Sequence, residues 1–533
     1  MALNFTLHGA GRTVTGSTLE FAHGATRILV DHGMFQGSRS LEELNRASTL
    51  DDPGAIAAVI LTHAHIDHCG LLPRLVADGY TGPIWCTRET ADLIEYMLAD
   101  SGRIQESEAL RQNRRRDRRH KEDVEPLYTE ADALAACKQA RVIGLHEWFE
   151  PAPGFRARLW NAGHILGAAS VELECDGVHW LCSGDIGPDN KAFEPTPEGP
   201  QGLDYVICES TYGNRERTRV TIEERRALLA GVINEALGRG GNLIIPAFAL
   251  ERTQELLLDI ATLSREGHIG NAMVFVDSPL ANRTTQVFAR YQNELEDTGG
   301  KDVFHHPSIH YVSEVMESMR LNTVSGAIIM AASGMCEAGR IRHHLFHNLH
   351  RRESTVLFVG FQAQGSLGRV ILDGAQHVRI SGRDVEVRAT IRQIDSYSAH
   401  ADQRELLAWI AARGPIAGSL MLDHGESDAI DTLAGLARDQ HLAASVVIPE
   451  IGETFELNAG QPAHRIRAAD PALAHAIGRD WQNEYADLAS GLKHRLEAIK
   501  DAERRKQAIA EMRKVLDSYT AFREAKKDRS GAS

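Results

Sequence analysis

The sequence predicts an α/β protein with two kinds of β region and a charged helical end. Short apolar runs separated by Gly- and Thr-rich turns fill much of residues 1–208, a pattern typical of antiparallel strands. Within residues 209–394, continuous apolar runs alternate with helix-like segments, which indicates a parallel sheet covered on both faces. After Leu457 the sequence is polar and charged, with apolar residues at helical spacing, and this predicts a helical extension.

Composition bounds the protein class. The chain has 533 residues, of which 43% are hydrophobic and 25% charged, as expected of a globular protein with two or three domains. Its formal net charge is −15, so a polyanionic substrate would have to be held by local positive charge or by metal.

Several absences in the sequence guide the expected location. No run approaches the roughly 20 apolar residues that span a bilayer, and the first residues lack the features of a signal peptide. The seven cysteines show no Cys-x-x-Cys spacing, which favours reduced, buried thiols. We therefore expect a cytoplasmic protein that makes no membrane contact.

The densest group of potential ligands lies in residues 61–70, Leu-Thr-His-Ala-His-Ile-Asp-His-Cys-Gly. This segment follows an apolar strand and precedes a predicted helix, so we expect a strand-to-helix loop with a non-helical backbone. Such a loop could direct His63 and His65 to one metal ion, and Asp67 and His68 to a second. Imidazole and carboxylate suit zinc, and four such side chains in six residues favour a metal site over a merely hydrogen-bonded loop.

The His-x-His-x-Asp-His pattern resembles the signature of the metallo-β-lactamase superfamily, which implies further ligands far along the chain. His164 lies on a Gly-flanked loop at a strand end, where a third imidazole for the first ion is needed. Asp185 follows the next strand, in a position to bridge both ions. Either residue alone is weak evidence, since an isolated histidine is more often structural.

Three other residues also stand at predicted strand ends. Asp31 closes the third strand, where a carboxylate commonly orients a metal ligand, although an ordinary turn is the alternative. His400 and His424 lie beside turns late in the chain, where a dinuclear site would recruit them.

Together with Glu209 these residues resemble the β-CASP branch of the superfamily, over about residues 1–457. This branch includes the nuclease of pre-mRNA cleavage and polyadenylation and its bacterial and archaeal relatives. Further stretches similar to the family are Thr13–Ser17, Pro246–Ala249, Asp277–Leu280, Ser333–Met335 and Ser398–Asp402. Two positions depart from its pattern: Glu251, where glycine is common, and Ser366, where threonine is common.

The resemblance implies an αββα sandwich with an inserted α/β domain. The expected segments are residues 1–208 for the first part of the metallo-β-lactamase domain, 209–394 for the β-CASP domain, 395–457 for the return to the sandwich and 458–533 for the helical extension. We expect this extension to pack on the body or to form a homodimer.

The resemblance also implies a ligand set and catalytic roles. The first ion would take His63, His65 and His164, the second Asp67, His68 and His424, and Asp185 would bridge them. Histidine at position 424 is similar to the RNA-cleaving members of the branch. The residues with catalytic roles would be Asp31, Asp67, Glu209 and His400, the last two acting near the scissile phosphate.

Two glycine-rich loops within residues 209–394 are candidates for phosphate binding. Both follow apolar strands and precede helices, so that backbone N–H groups could face an anion. The candidate substrate-binding residues are Ser333, Gly334, Arg340, Ser366 and Arg369. A basic run at 111–121 could also contact RNA, although such runs are usually solvated helix faces or loops.

These observations lead to a hypothesis about the reaction. Two zinc ions, or manganese as the alternative, held roughly 3.5–4 Å apart would bind a hydroxide between them and stabilise charge on an attacked phosphate. We therefore expect an RNA endonuclease. The alternatives are a 5′ exoribonuclease, a catalytically silent RNA-binding subunit and a small-ester hydrolase of the same superfamily.

Overall fold

Two mixed β-sheets pack face to face, and a third, parallel sheet is inserted between their strands in sequence. The structure is a computed structural model that describes residues 2–37, 39–47, 50–115, 123–189, 191–360, 362, 365–469, 492, 496 and 499–515. Every structural statement below concerns these residues.

The first part of the chain builds most of one sheet and the helices outside it. Its strands are β1 (Leu3–Leu7), β2 (Leu19–His23), β3 (Thr26–Val30), β4 (Ile56–Ile60), β5 (Ile84–Cys86) and β6 (Ala140–Val142). Its helices are α1 (Arg39–Leu44), α2 (Ile66–Cys69), α3 (Leu72–Ala77), α4 (Arg88–Arg115) and α5 (Glu130–Cys137), with a 3-10 turn at Pro53–Ala55.

The second sheet of the sandwich starts with five strands that follow one another along the chain. They are β7 (Phe149–Ala152), β8 (Phe155–Asn161), β9 (Ala169–Cys175), β10 (Val178–Cys182) and β11 (Leu203–Cys208). Strands β7 to β10 are antiparallel neighbours, whereas β11 pairs parallel with β10.

The inserted region alternates helices and strands. Its first elements are α6 (Ile222–Gly238), β12 (Leu243–Pro246), α7 (Arg252–Arg265), β13 (Met273–Val276), α8 (Pro279–Tyr291), β14 (Ile309–Tyr311), α9 (Val315–Arg320) and β15 (Ala327–Ala331). The remaining ones are α10 (Ile341–Asn348), β16 (Thr355–Phe358), α11 (Leu367–Leu372), β17 (His377–Ile380), β18 (Arg383–Glu386) and β19 (Thr390–Gln393), with 3-10 turns at Leu321–Thr323 and Asp395–Tyr397. Strands β14-β13-β15-β12-β16-β19 form a parallel sheet, and β17 and β18 form a separate hairpin.

The chain then returns to the sandwich and completes both of its sheets. The returning elements are α12 (Gln403–Ala412), β20 (Ile416–Leu422), α13 (Ser427–Asp439), β21 (Ser445–Val447), β22 (Thr454–Leu457) and β23 (His464–Arg467). The finished strand orders are β23-β22-β1-β2-β3-β4-β5-β6 and β21-β20-β11-β10-β9-β8-β7.

Apolar clusters explain why these layers pack as they do. Aromatic side chains fill the space between the two sheets of the sandwich, where the rings of Phe21 and Trp180 lie 4.9 Å apart between centroids. The outer faces are covered by helices, with α3 and α4 on the first sheet and α12 and α13 on the second. Apolar clusters also cover both faces of the parallel sheet. The predicted αββα sandwich with an inserted α/β domain is confirmed.

The C-terminal prediction needs one correction. Residues His464–Arg467, which the sequence places at the start of the helical extension, form strand β23 because they pair antiparallel with β22. Residues 502–515 are helical, as predicted. Most of the extension, and with it the predicted homodimer contact, lies outside the described residues. The domain boundaries stay predictions.

Two further predictions concern the cysteines and the basic run. All seven cysteines are among the described residues; they are free thiols, and six of them are buried. The first residues of the basic run end α4, whereas residues 116–122 lie outside the described part. Within the described residues, no helix is both long and apolar enough to cross a membrane.

Candidate metal centre

The motif at 61–70 follows the buried strand β4, and hydrogen bonds to Asp31 hold its start. The backbone N–H and the hydroxyl of Thr62 each donate to a carboxylate oxygen of Asp31 at 2.8 Å. His65 has an extended backbone and caps α2, because its carbonyl accepts the N–H groups of His68 and Cys69.

This cap corrects the predicted non-helical loop. Asp67 and His68 belong to the short helix α2, whereas His63 and His65 precede it, and the rings of His63 and His68 lie 4.1 Å apart between centroids. A helix of four residues is too short to be predicted from the spacing of apolar residues.

A first ligand group contains three histidines and one carboxylate. The ligand atoms of His63, His65, His164 and Asp185 all lie within 4.8 Å of one another. Nδ1 of His65 is 3.2 Å from Nε2 of His63 and 3.1 Å from Nε2 of His164. Three ring nitrogens converging on one point beside a carboxylate form a donor set that fits a cation such as zinc.

A second ligand group lies beside the first. It comprises Asp67, His68 and His424, whose ligand atoms also lie within 4.8 Å of one another. Nε2 of His68 is 3.2 Å from Nε2 of His424, and Nε2 of His424 is 3.7 Å from a carboxylate oxygen of Asp67.

Asp185 connects the two groups. Its Oδ2 is 3.6 Å from His63 and 3.4 Å from His164, whereas its Oδ1 is 3.2 Å from His68 and 3.5 Å from His424. One carboxylate thus presents a different oxygen to each ligand group. These residues could hold two cations, with Asp185 between them.

The histidines of the first group are kept neutral by their surroundings. Burial lowers the pKa of His63 and His164 well below the usual value, and lowers that of His65 to about 4. A neutral imidazole keeps a lone pair for a metal, so burial prepares this group for cation binding.

The histidines of the second group lie among carboxylates. Burial alone would lower the pKa of His424, but Asp185 and Asp67 raise it to about 9. Against burial, Asp185 and Asp31 likewise raise the pKa of His68 well above its usual value. Protonated imidazoles therefore balance the negative charge that a cation would otherwise neutralise.

Asp31 lies behind His68. Its Oδ2 is 2.7 Å from Nδ1 of His68, and its side chain is buried. A carboxylate that accepts from the far nitrogen of a metal-binding imidazole fixes the orientation of the ring. The predicted role of Asp31 as an orienting residue is compatible with this contact.

His400 and Glu209 meet at the edge of the first group. Nδ1 of His400 is 3.3 Å from Oε1 of Glu209 and 3.9 Å from Oδ2 of Asp185. The Glu209 carboxylate is buried and accepts the N–H groups of Ile186 and Thr211, whereas the His400 side chain is 21% exposed. The His400 ring is therefore partly accessible from outside, whereas the Glu209 carboxylate is held in place by backbone N–H groups.

The two arginines predicted to bind phosphate near the glycine-rich loops pair with carboxylates of the protein itself. Nη1 of Arg340 donates to buried Asp277 at 2.6 Å, and Nη2 donates to the carbonyl of Ser313. Arg369 pairs with Asp373 one helical turn later. Both guanidinium groups therefore already have anionic partners.

The small residues of these loops have structural contacts. Ser366 caps α11 by accepting from the N–H of Arg369, and the hydroxyl of Ser333 accepts from Ala338 at 3.4 Å. The carbonyl of Gly334 accepts from Gln362 at 3.0 Å.

Sequence reasoning missed three residues that contact the site. Thr62 holds Asp31, the hydroxyl of Thr211 is 3.2 Å from Nδ1 of His424, and Nη2 of Arg217 donates to the backbone carbonyl of His400 at 2.5 Å. Thr62 directly precedes His63, so its position in the motif could have identified it as a site residue. Nothing in the sequence distinguishes Arg217 from the many arginines that lie on protein surfaces.

Family models match three successive parts of the sequence. The model described as the metallo-beta-lactamase superfamily matches residues 13–216, and the Beta-Casp domain matches residues 253–371. The model described as the Zn-dependent metallo-hydrolase RNA specificity domain matches residues 384–449. The matches follow the order of sandwich, insertion and return.

Individual relatives extend the comparison. The protein named Ribonuclease TTHA0252 from Thermus thermophilus is 34% identical over 438 residues, which cover 80% of this chain and 94% of the relative. Transcription termination factor FttA from Methanocaldococcus jannaschii is 29% identical over 455 residues, or 81% of this chain and 69% of the relative. A crystal structure of a protein of unknown function from Enterococcus faecalis V583 shares the fold, with a TM-score of 0.52 at 14% identity, over 86% of this chain and 100% of that one.

Proposed function

This chain belongs to the β-CASP branch of the metallo-β-lactamase superfamily, and from that premise we propose that it is a metal-dependent ribonuclease. The observation that carries the proposal is the pair of ligand groups joined by Asp185, with His400 and Glu209 beside them. The reaction is hydrolysis of an RNA phosphodiester bond, and internal cleavage is the mode we propose.

Two zinc ions are the proposed cofactor, with manganese as the alternative. His63, His65 and His164 would hold one ion, Asp67, His68 and His424 the other, and Asp185 both. Such ions, when bound, supply Lewis acidity that activates water and stabilises charge on the phosphate. Asp31 keeps the His68 ring in the orientation that binding requires.

His400 is the proposed general acid. When the ring is protonated on both nitrogens, its Nδ1–H donates to Glu209, which orients the ring. Nε2–H is then free to pass its proton to the oxygen of the leaving nucleoside. Partial exposure of the His400 ring, next to the buried ligands, suits a residue that must reach a large substrate.

A polymeric substrate is favoured over a small ester. The relative from Thermus thermophilus is named a ribonuclease, and it aligns with this chain over 94% of its length. The complete set of proposed ligands argues against a silent RNA-binding subunit, since such a subunit has no need to keep seven metal-binding side chains together.

The test is cleavage of single-stranded RNA labelled at its 5′ end. Full-length protein would be supplied with zinc or manganese and compared with Asp67→Ala and His400→Ala. We expect internal fragments from the parent, none from Asp67→Ala, and a rate lowered about 10²–10⁴-fold in His400→Ala because proton transfer is lost. His377→Ala, an exposed histidine that pairs with Asp384 on the β17–β18 hairpin, is the matched control and should cleave normally.

Each other outcome selects another function. Labelled mononucleotide as the first product would indicate a 5′ exoribonuclease. Absence of cleavage in all proteins, with RNA binding retained, would reject the nuclease and favour the silent subunit. Hydrolysis of a small thioester with RNA left intact would favour the small-ester hydrolase.

A further inference from the structure

A buried ion pair lies directly behind His164 and joins the sandwich to the inserted region. Nζ of Lys191 is 2.7 Å from Oε1 of Glu251, and their side chains are only 1% and 2% exposed. Lys191 follows β10 in the sandwich, whereas Glu251 precedes α7 of the insertion. A fully buried pair of this kind is costly to desolvate, so its position calls for an explanation.

Both members of the pair also bind the turn that carries His164. Nζ of Lys191 donates to the backbone carbonyl of His164. Oε2 of Glu251 accepts the N–H of Leu166 at 3.2 Å. The ion pair therefore hydrogen-bonds to this turn at two positions, the carbonyl of His164 and the N–H of Leu166. The imidazole of His164 faces the first ligand group.

The backbone of Glu251 supports a dedicated role. Its φ of +70° lies in the left-handed region, which glycine adopts easily and a glutamate does not. The residue caps α7 without a side-chain hydrogen bond to the helix. Because strained residues persist where the surroundings require them, the carboxylate itself is the reason to place glutamate here.

A second contact from α7 reaches the other side of the site. The hydroxyl of Tyr397 donates to buried Asp259 of α7 at 2.8 Å. Two residues after Tyr397, the carbonyl of Ala399 accepts from Nδ1 of His164 at 2.9 Å. Glu251, which caps α7, thus contacts the turn that carries His164, and Asp259 of α7 contacts Tyr397, two residues before the Ala399 carbonyl.

Two other glutamates near Lys191, Glu194 and Glu255, have raised pKa values, whereas Glu251 forms the ion pair with Lys191. Burial, and after it the charge of Glu251, raise the pKa of Glu194 to about 8. Burial likewise raises the pKa of Glu255.

We propose that Lys191 and Glu251 are positioning residues, through which the inserted region fixes the position of His164. The position of His164 in turn determines the affinity of the first ligand group for its cation. The inference rests on the proposed metal-dependent function. Without the pair, the 164–166 turn loses one donor and one acceptor, and of these contacts only that of Nδ1 with the Ala399 carbonyl is left to orient the His164 ring. The alternative is an ion pair that only adds stability.

The test separates positioning from stability. In the double variant Lys191→Met/Glu251→Gly, an apolar chain replaces the buried amine and glycine relieves the positive φ, so the fold should keep its melting temperature within a few degrees. Full-length protein stripped of metal would be titrated with zinc against a chromophoric chelator. We expect one of the two zinc affinities to fall about 10–100-fold while the other is unchanged.

Glu172→Gln is the matched control. Glu172 is equally buried and pairs with Arg158, but it lies on the outer face of the second sheet and touches no ligand. This variant should lower the melting temperature and leave both zinc affinities intact. Equal zinc affinities in the parent and the double variant would overturn the inference. Failure of the proposed function would instead appear in the parent, as RNA left uncut.

Discussion

The ligand groups and the glycine-rich loops differ in how their charged side chains are used. Around Asp185, six further potential ligands converge although they come from positions as distant as 63 and 424. In the inserted region, Arg340 and Arg369 instead face Asp277 and Asp373. The first arrangement brings together side chains that could hold a cation, whereas the second pairs charges that already balance each other.

This difference teaches where a sequence motif predicts a site and where it does not. Histidines and carboxylates crowded into a buried space have few stable uses other than metal binding. An arginine near a glycine-rich turn has many partners available. Substitutions in both regions can therefore separate metal binding from structural pairing.

Asp31→Asn should impair the second ligand group. The carboxylate of Asp31 accepts from Thr62 at two points and contacts His68, and an amide cannot accept all of these bonds. We expect zinc affinity to fall about 10–100-fold, measured by chelator competition. Asp204→Asn, in a carboxylate that accepts from His179 and Gly460 far from the ligands, serves as control. Unchanged affinity in Asp31→Asn would show that His68 needs no orienting partner.

Arg340→Gln should lower stability more than RNA affinity. The change removes the guanidinium partner of the buried Asp277 carboxylate, which keeps its contacts with Ser318 and His344, and we expect the free energy of unfolding to fall by about 2 kcal/mol. Chemical denaturation measures the loss. Weakened RNA binding at unchanged stability would contradict the structural role and restore phosphate contact as the main one.

Glu194→Gln should change how stability depends on pH. The pKa of this carboxyl is about 8 in the folded protein and 4.5 in the unfolded chain. The folded state therefore holds a proton that the unfolded state has lost, so this contribution is complete below pH 4.5 and disappears as pH rises through 8. In the parent protein, we expect this carboxyl to lower the free energy of unfolding by about 1–3 kcal/mol between pH 5 and pH 9. The variant should lack this decrease, which denaturation across about pH 5–9 measures. An identical pH profile would place the Glu194 carboxyl in contact with water.

Arg369→Gln should have the smallest effect. Its ion pair with Asp373 is partly exposed, and such pairs contribute below about 1 kcal/mol. If the guanidinium also contacts an RNA phosphate, the slope of binding against salt concentration should fall by about one. An unchanged slope would leave Arg369 outside the RNA-binding surface.

Much of this architecture could be predicted from the sequence for definite reasons. The apolar runs of the parallel strands are continuous because both faces are buried, and the four ligands at 63–68 stand together after one of the sandwich strands. Strand β23 could not be predicted, because its polar residues are extended only through pairing with β22.

Long-range pairs explain the rest of what the sequence could not reveal. Lys191 and Glu251 are sixty residues apart; Glu251 stands out only as a departure from the family pattern, and nothing in the sequence indicates that Lys191 is its partner. The partners of Arg340 lie on other elements as well. Tertiary packing determines which charged side chains pair, and the spacing of residues along the sequence does not predict these pairs.

The late return of the chain to the sandwich has a consequence for protein synthesis. Strand β1 pairs with β22, so that Leu3 lies opposite Leu457, and His424 directly follows the returning strand β20 by two residues. At translation rates of about 5–20 residues per second, His424 is made about 20–70 s after His63. The emerging polypeptide therefore lacks His424, and with it the complete second ligand group, until most of this sequence has been made.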